Sequence, residues 1–172
     1  MRLTVYTDYT LRVMIYLTLK FKGGEVATID EMAQAYGVSR SHLMKIVNEL
    51  SQNGFIETTR GRAGGARLAR SPNQISLGEV VRMAEKDFAV VQCHDMALES
   101  GCAVFQACNL KRGMRRAVDA FMHELDKMTF EDAVSAPTVA ASLLGMGDEP
   151  VAVAMPPRGS GRKAAAAKPA HH

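Results

Sequence analysis

The stretch Thr28–Leu50 decides the fold: it reads Thr-Ile-Asp-Glu-Met-Ala-Gln-Ala-Tyr-Gly-Val-Ser-Arg-Ser-His-Leu-Met-Lys-Ile-Val-Asn-Glu-Leu. A Thr-x-x-Glu capping box opens it and predicts a short first helix. Gly37 suits the positive φ of a tight turn, and Ser39 is a natural N-cap for a second helix that runs from Arg40 to about Gln52. Two short helices joined by a glycine turn are the pattern of a helix–turn–helix.

The second helix has an apolar face and a polar face. Its apolar residues recur at i, i+3, i+4 and i+7, as on a helix that packs on a core: Leu43, Ile46, Val47 and Leu50. On the opposite face or at the N-terminal end lie side chains of the types that contact phosphates and base edges: Arg40, Ser41, His42, Lys45 and Asn48. A solvated helix face looks similar, so both interpretations stay open for this helix taken alone.

A predicted β-hairpin follows the two helices. Phe55–Thr59 is rich in β-formers, Arg60–Gly65 is a basic, glycine-rich tip, and Ala66–Ala69 returns as the partner strand. The sequence therefore predicts a winged helix, a mainly α fold with a small β wing. Three guanidinium groups of the wing would meet phosphates or a narrow minor groove, those of Arg60, Arg62 and Arg67. The tip lacks the Lys-Ser/Thr ending of a phosphate-binding loop, which argues against a nucleotide site.

The chain before this stretch predicts one longer helix. Thr7 is the expected N-cap, an apolar run follows to about Phe21, and two glycines then end the helix. Asp8 would lie in the first turn, where a negative charge is favoured, with Arg12 four residues further on the same face. An Asp8–Arg12 ion pair is therefore an explanation of this carboxylate that needs no ligand.

Two further helices are predicted after the wing. A capping box at Ser76 opens a helix that runs through about Glu85. Leu110–Thr129 predicts a longer helix, whose apolar residues are spaced alternately by four and three: Met114, Val118, Phe121, Leu125 and Met128. Because the small N-terminal module has little surface to cover so long a stripe, the sequence predicts a homodimer. Packing of the stripe within its own domain is the alternative.

All three cysteines lie within 16 residues, between these two helices: Cys93, Cys102 and Cys108. Crowded thiolates suit a soft metal or an iron–sulfur cluster. Three cysteines cannot all pair as intramolecular disulfides, and three is one short of the usual four protein ligands, so a cluster needs another ligand. The alternative is three ordinary cysteines in a helical region.

Charge and composition divide the chain. Residues 1–70 carry ten Lys and Arg against six Asp and Glu, whereas residues 71–150 carry seven against twelve, so the N-terminal module is the part expected to meet a polyanion. We predict a winged helix–turn–helix domain over residues 1–75, a cysteine loop and dimerisation helix over 76–132, and a disordered tail over 133–172. With no apolar run long enough for a membrane helix and no signal-peptide pattern, a cytoplasmic, reducing compartment is expected.

Several of these motifs together resemble one family. Met1–Arg12, the helix Ser39–Lys45, the wing Gly61–Gly65 and the three-cysteine loop are similar to those of the NsrR-type repressors. These belong to the iron–sulfur winged-helix regulators that also include IscR and RirA, and the resemblance covers roughly residues 1–132. It implies a homodimeric repressor of operator DNA with a 2Fe–2S or 4Fe–4S cluster at the dimer interface and nitric oxide as its signal.

The resemblance also implies a ligand set. In this family the loop cysteines hold the cluster, and here they are Cys93, Cys102 and Cys108. In NsrR-type members the fourth ligand can be the N-terminal aspartate of the partner subunit, and Asp8 matches that position.

Some positions depart from the family pattern or stay open. The gap between the first two cysteines is at the long end for the family, and Lys111 stands where IscR-like members place a histidine. His94 is a weaker candidate ligand. Arg12 and Glu85 are candidates to hold the ligands in place, with surface ion pairs as the alternative. Iron or cluster status is the alternative signal. An electron-transfer or cluster-carrier protein is disfavoured by the winged helix, and no catalytic constellation indicates an enzyme.

Overall fold

The structure of the chain, a computed structural model, describes residues 2–61, 64–91, 103–104 and 107–146. The helices and strands found there are α1 Val5–Phe21, α2 Ile29–Tyr36, α3 Arg40–Gln52, β1 Ile56–Thr59, β2 Gly65–Leu68, α4 Leu77–Ala84, α5 Leu110–Lys127 and α6 Pro137–Leu143. A short 3-10 helix, Pro72–Gln74, connects the wing to α4. The predicted mainly α fold with a small β wing is confirmed.

The helix–turn–helix forms where the sequence predicts it. Thr28 accepts a hydrogen bond from the backbone of Glu31, whose carboxylate accepts one from the backbone of Thr28, so the capping box of α2 is complete. Gly37 ends α2 in the left-handed region, with φ of 63°. Ser39 occupies the N-cap of α3 without a side-chain capping hydrogen bond. The predicted apolar face of α3 is buried in the core.

The wing is a two-stranded antiparallel sheet. Its register pairs Ile56 with Leu68 at one end and Thr59 with Gly65 at the other. Ala27 extends the sheet through two 2.8 Å backbone hydrogen bonds with Ala66. A Cβ on Gly65 would lie 2.7 Å from the carbonyl oxygen of Ala27, so the missing side chain lets the two backbones approach.

The start of α1 differs from the prediction. Thr4, and not Thr7, is the N-cap, and the backbone N–H of Thr7 donates to the Thr4 hydroxyl at 3.2 Å. Thr7 is buried, and its own hydroxyl donates to Glu85 at 2.6 Å. The predicted cap was wrong because a carboxylate 78 residues away in the sequence engages the Thr7 hydroxyl.

One hydrophobic core joins the N-terminal helices to the chain after the wing. Met14 of α1 and Leu50 of α3 lie in the same buried cluster as Val80 of α4 and Phe130. Phe130 is fully buried, and its backbone N–H donates to the carbonyl of Ile75 at 3.0 Å. The core therefore continues past residue 75, the predicted end of the winged-helix domain.

Helices α4 and α5 pack closely at one point. A Cβ on Gly78 would lie 2.0 Å from a carboxylate oxygen of Asp126, so glycine allows the contact. Arg82 binds both oxygens of the same carboxylate, at 2.6 and 2.5 Å. No helix in the described ranges has the length and apolar character needed to cross a membrane.

The predicted disordered tail is wrong for its first residues. Pro137 opens α6, which continues to Leu143, and the following residues Leu144 and Met146 pack against the core. Composition conceals this helix because two apolar side chains anchor it without forming a periodic stripe. The prediction for residues 147–172 lies outside the described residues.

Candidate nucleic-acid interface and thiol site

The outward face of α3 presents the predicted DNA-contacting residues to solvent. All five are exposed: Arg40, Ser41, His42, Lys45 and Asn48. The face therefore combines two cations with the short hydroxyl and amide side chains that read base edges in a major groove.

Side-chain contacts hold the two cations of α3 at opposite edges of this face. Arg40 forms an exposed ion pair with Asp30 of α2. The ammonium of Lys45 lies 5.7 Å from the ring centroid of Tyr6 in α1, within the range of a cation–π interaction. Since exposed ion pairs contribute little to stability, Arg40 can exchange Asp30 for a phosphate at small cost.

The wing adds charge to the same surface. Arg60 is exposed immediately after β1. Arg67 donates from two guanidinium nitrogens to the Glu57 carboxylate across the sheet, at 3.0 and 2.7 Å, which offsets part of its charge. Arg62 lies outside the described residues. Among the wing arginines that the structure describes, Arg60 is thus the stronger candidate for a phosphate contact.

Contacts between α1 and α3 are the part of this site that sequence reasoning missed. The Tyr6 hydroxyl donates to the Glu49 carboxylate, and the rings of Tyr9 and His42 lie 6.4 Å apart between centroids. Burial raises the pKa of Tyr6, and the Glu49 carboxylate that accepts its hydrogen bond raises it further, so the phenol keeps its proton near neutral pH. The available signal was two aromatic residues three positions apart at the start of α1.

Glu85 joins the end of α4 to the start of α1. Its carboxylate accepts hydrogen bonds from the backbone N–H of Thr4 at 3.0 Å, the Thr4 hydroxyl at 3.1 Å and the Thr7 hydroxyl at 2.6 Å. Partial burial raises the pKa of Glu85, but these hydrogen bonds stabilise the carboxylate and together hold the pKa below its usual value. The segment that enters the cysteine loop is therefore tied to α1.

Asp8 and Arg12 form the ion pair that their spacing predicts. The Arg12 Nε donates to the Asp8 carboxylate at 2.9 Å. The Arg12 guanidinium also lies 5.8 Å from the ring centroid of Tyr36, whose pKa burial raises to about 12 despite the opposing cation. The Asp8 side chain remains 51% exposed, so it can accept a further partner. Arg12 thus contacts Asp8, while Glu85 is held by threonines.

The thiol site is described in part. Cys108 carries a free, half-buried thiol and lies just before Asn109, the N-cap of α5. Cys93, Cys102 and His94 lie outside the described residues, and the described part of the chain contains no group of three metal-binding side chains. The sequence places three thiols within 16 residues, and the Asp8 carboxylate is accessible, so the chemistry of this donor set fits an iron–sulfur cluster.

Comparison with known proteins shows which family this chain resembles. The model of the Rrf2 family, described as an iron-dependent transcriptional regulator, matches residues 3–136. The HTH-type transcriptional regulator NsrR of Bacillus subtilis (strain 168) is 45% identical over 134 residues, which are 78% of this chain and 90% of the relative. NsrR of Shouchella clausii (strain KSM-K16) is 39% identical over 134 residues, 78% of this chain and 89% of the relative.

Solved structures agree in fold. CymR (YrzC), the global cysteine regulator of B. subtilis, superposes with a TM-score of 0.64 at 28% sequence identity, over 78% of this chain and 97% of that chain. T. potens IscR superposes with a TM-score of 0.61 at 22% identity, over 78% of this chain and 86% of that chain, which is a likeness of fold.

The relatives that match most of this chain are named as regulators of transcription, which confirms both the resemblance to NsrR-type proteins and a class without enzymatic activity. With a family model matched over residues 3–136 and the winged helix in place, this chain belongs to the Rrf2 family of transcriptional regulators.

Proposed function

We propose that this regulator is a homodimeric repressor whose affinity for operator DNA depends on an iron–sulfur cluster that reacts with nitric oxide. One observation carries the coupling between signal and DNA: α1 contacts α3 on one side and the end of α4 on the other. A change at the cysteine loop would therefore reach the DNA-reading helix through a single element.

Tyr6, Thr7 and Asp8 are consecutive on the first turns of α1. Tyr6 binds Glu49 of α3, Thr7 binds Glu85 at the end of α4, and Asp8 is the proposed ligand. A force on the Asp8 carboxylate would act on the turn that also supports α3. Because helices move as units, a small shift there would change the spacing of the two α3 helices in a dimer, and half-site spacing limits DNA binding.

The proposed ligands are the three loop thiolates of one subunit and Asp8 of the partner subunit. When bound, the cluster supplies iron atoms, of which the one held by a carboxylate is the least firmly protected against a small diatomic molecule such as nitric oxide. Arg12 neutralises and orients Asp8 while the carboxylate has no metal, through the 2.9 Å ion pair.

The apolar stripe of α5 is only partly covered within the chain, which supports the dimer. Leu110 and Met128 are 58% and 43% exposed at its two ends. Met114 and Phe121 between them are half-buried. A helix with a partly covered apolar stripe of this kind gains stability by packing on a second copy.

Anaerobic purification followed by titration with nitric oxide tests the proposal. We expect the purified protein to show the absorption spectrum of an iron–sulfur protein. It should also retard a DNA duplex that has been selected from a random pool, and nitric oxide should abolish this retardation. Each of Cys93→Ala, Cys102→Ala and Cys108→Ala should lose the iron, whereas Asp8→Ala should keep a labile cluster because water or a small thiol can replace a carboxylate. If the protein bound DNA selectively and with the same affinity with and without iron, control of DNA binding by a cluster would be refuted.

A mixed dimer tests ligation across the interface. One subunit carries Asp8→Ala and the other carries Cys102→Ala. If Asp8 serves the partner, one site keeps all four ligands and the dimer holds one wild-type cluster. If Asp8 serves its own chain, each site lacks one ligand. Iron content and the optical spectrum distinguish these cases, with the two single-variant homodimers as controls.

Iron status is the second candidate signal, and the family description as iron-dependent favours it. A chelator separates the two signals. Release of DNA on chelation under anaerobic conditions, with no response of the loaded protein to nitric oxide, would assign iron as the signal.

A further inference from the structure

The DNA-facing side of α3 carries one large apolar side chain. Met44 is 54% exposed, although Leu43 and Ile46 beside it are fully buried. The exposure therefore does not come from a helix that packs poorly. Apolar surface in water is unfavourable, and Gln or Glu would support the helix about as well as Met. Exposure to solvent alone therefore gives no reason for a methionine at this position.

The position of Met44 on the helix is informative. At 100° per residue, Met44, Asn48 and Ser41 fall between Arg40 on one edge and Lys45 on the other. Contacts with α2 and α1 hold those two cations at the edges, where the phosphate backbones would flank a helix in the major groove. The strip between the cations is the part that would face the base edges.

We propose that Met44 packs against the C5-methyl group of a thymine in the major groove of the operator. This inference rests on the proposed DNA-binding function and adds a residue that selects the base. The thymine methyl is the apolar group that base edges present in that groove, and a flexible thioether adapts well to it.

Asn48 strengthens the assignment to A·T pairs. It lies one turn after Met44, at i+4 on the same side of α3, and it is exposed. An asparagine amide is suited to the N6 and N7 groups of adenine. The two side chains together present an apolar contact and a bidentate amide at neighbouring positions, which favours A·T over G·C pairs.

Deletion of single methyl groups from the DNA tests the inference. A duplex is selected from a random pool with the full-length dimer, and each thymine is then replaced in turn by deoxyuridine, which lacks only the C5-methyl. At one position per half-site we expect wild-type affinity to fall about fourfold, which corresponds to about 0.8 kcal/mol for one buried methyl-sized group. Met44→Ala should bind the unmodified duplex more weakly and show no response to deoxyuridine at that position.

Matched variants complete the design. Leu143→Ala removes an exposed apolar side chain from α6 and should respond to deoxyuridine as the wild type does. Met44→Leu should keep the response and Met44→Gln should lose it, which tests the apolar contact in two folded variants. Denaturation and sedimentation show whether each variant keeps its fold and association state.

The outcomes separate this inference from the function on which it rests. If the wild type does not distinguish any selected duplex from a scrambled one, both fail. If it binds selectively, but Met44→Ala keeps the full deoxyuridine response at every thymine, the assignment of Met44 is overturned while the regulator remains a DNA-binding protein. A change in sedimentation of Met44→Ala with no lost methyl response would place Met44 in a protein interface instead.

Discussion

A single carboxylate at residue 85 holds the first turn of α1. Three hydrogen bonds reach it from two threonines, and one of these, from the Thr7 hydroxyl, is short at 2.6 Å. The sequence distance between the partners is 78 residues or more, so no local pattern predicts this contact. The contribution of this contact to stability can be measured with Glu85→Gln, since glutamine has nearly the same shape as glutamate without the charge.

We expect Glu85→Gln to lower the free energy of unfolding by roughly 1–2 kcal/mol at pH 7, because the hydrogen bonds to a charged acceptor are weakened. The lowered pKa fixes the pH dependence: a carboxylate favoured in the folded state stabilises it above the unfolded-state pKa, near 4.5, and loses this effect as the pH falls through the folded-state pKa. Urea unfolding of both proteins from pH 7 to pH 3 should therefore converge at the acid end.

Glu124→Gln is the matched control for this measurement. Glu124 forms an exposed ion pair with Lys127 on α5, and its removal should leave stability nearly unchanged. A constant difference between wild type and Glu85→Gln across the whole pH range would contradict the role given to the Glu85 charge.

Arg60 offers a second test at the level of one side chain. It is exposed at the start of the wing tip, whereas Arg67 is paired with Glu57. Arg60→Ala should reduce the slope of log affinity against log salt by about 2 for a dimer, since one phosphate contact is lost in each subunit. Lys127→Ala, far along the chain on α5, should leave the slope unchanged. Equal slopes for all three proteins would remove Arg60 from the interface.

At the scale of elements, the contact between α4 and α5 depends on a glycine. Gly78→Ala would place a methyl group 2.0 Å from the Asp126 carboxylate and 3.1 Å from the Asp126 backbone nitrogen, so the helices must separate or the Arg82 pair must break. We expect a loss of about 1–3 kcal/mol of unfolding free energy, as for other overpacked contacts.

Gly113→Ala provides the opposite control within α5. A Cβ there meets no atom within 4 Å, so the higher helix propensity of alanine should raise stability by up to about 1 kcal/mol. Thermal unfolding of the two variants compares them directly. A neutral Gly78→Ala would mean that α4 and α5 shift apart without cost.

Elements whose ends are set by neighbouring residues are predictable from the sequence. Both capping boxes, at Thr28 and Ser76, start their helices where predicted, because each cap bonds a backbone group three residues away. The start of α1 is not predictable in this way, because the distant Glu85 carboxylate accepts a hydrogen bond from the Thr7 hydroxyl. Helix α6 is also missed, because its anchors Leu144 and Met146 become visible only with the core in place.

At the scale of the whole molecule, the dimer is the main expectation. Phe121→Gln should raise the dissociation constant of the dimer more than about tenfold, since each subunit loses the burial of an aromatic ring in the stripe. His123→Gln, on the other side of α5 and exposed, is the control. Sedimentation at micromolar concentration measures both, and a monomeric wild type would contradict the dimer itself.

The candidate site is predictable to the extent that it is local. The outward residues of α3 and the Asp8–Arg12 pair follow from helical spacing, and the structure confirms their exposure and their ion pair. The support of α3 by Tyr6 and Tyr9 does not follow, because it depends on how α1 crosses α3. Spacing thus predicts which residues share a face, while tertiary packing decides what lies behind that face.

The contacts of Tyr6 and Tyr9 limit how this protein can be re-engineered. If α3 were exchanged for that of a relative, a different residue at position 49 or 42 would leave Tyr6 or Tyr9 without its partner on α3. A working chimera would have to carry α1 together with α3, and α1 brings Asp8 with it. With Asp8 as the cluster ligand proposed above, base preference and signal response would be transferred together, since α3 carries the first and α1 the second.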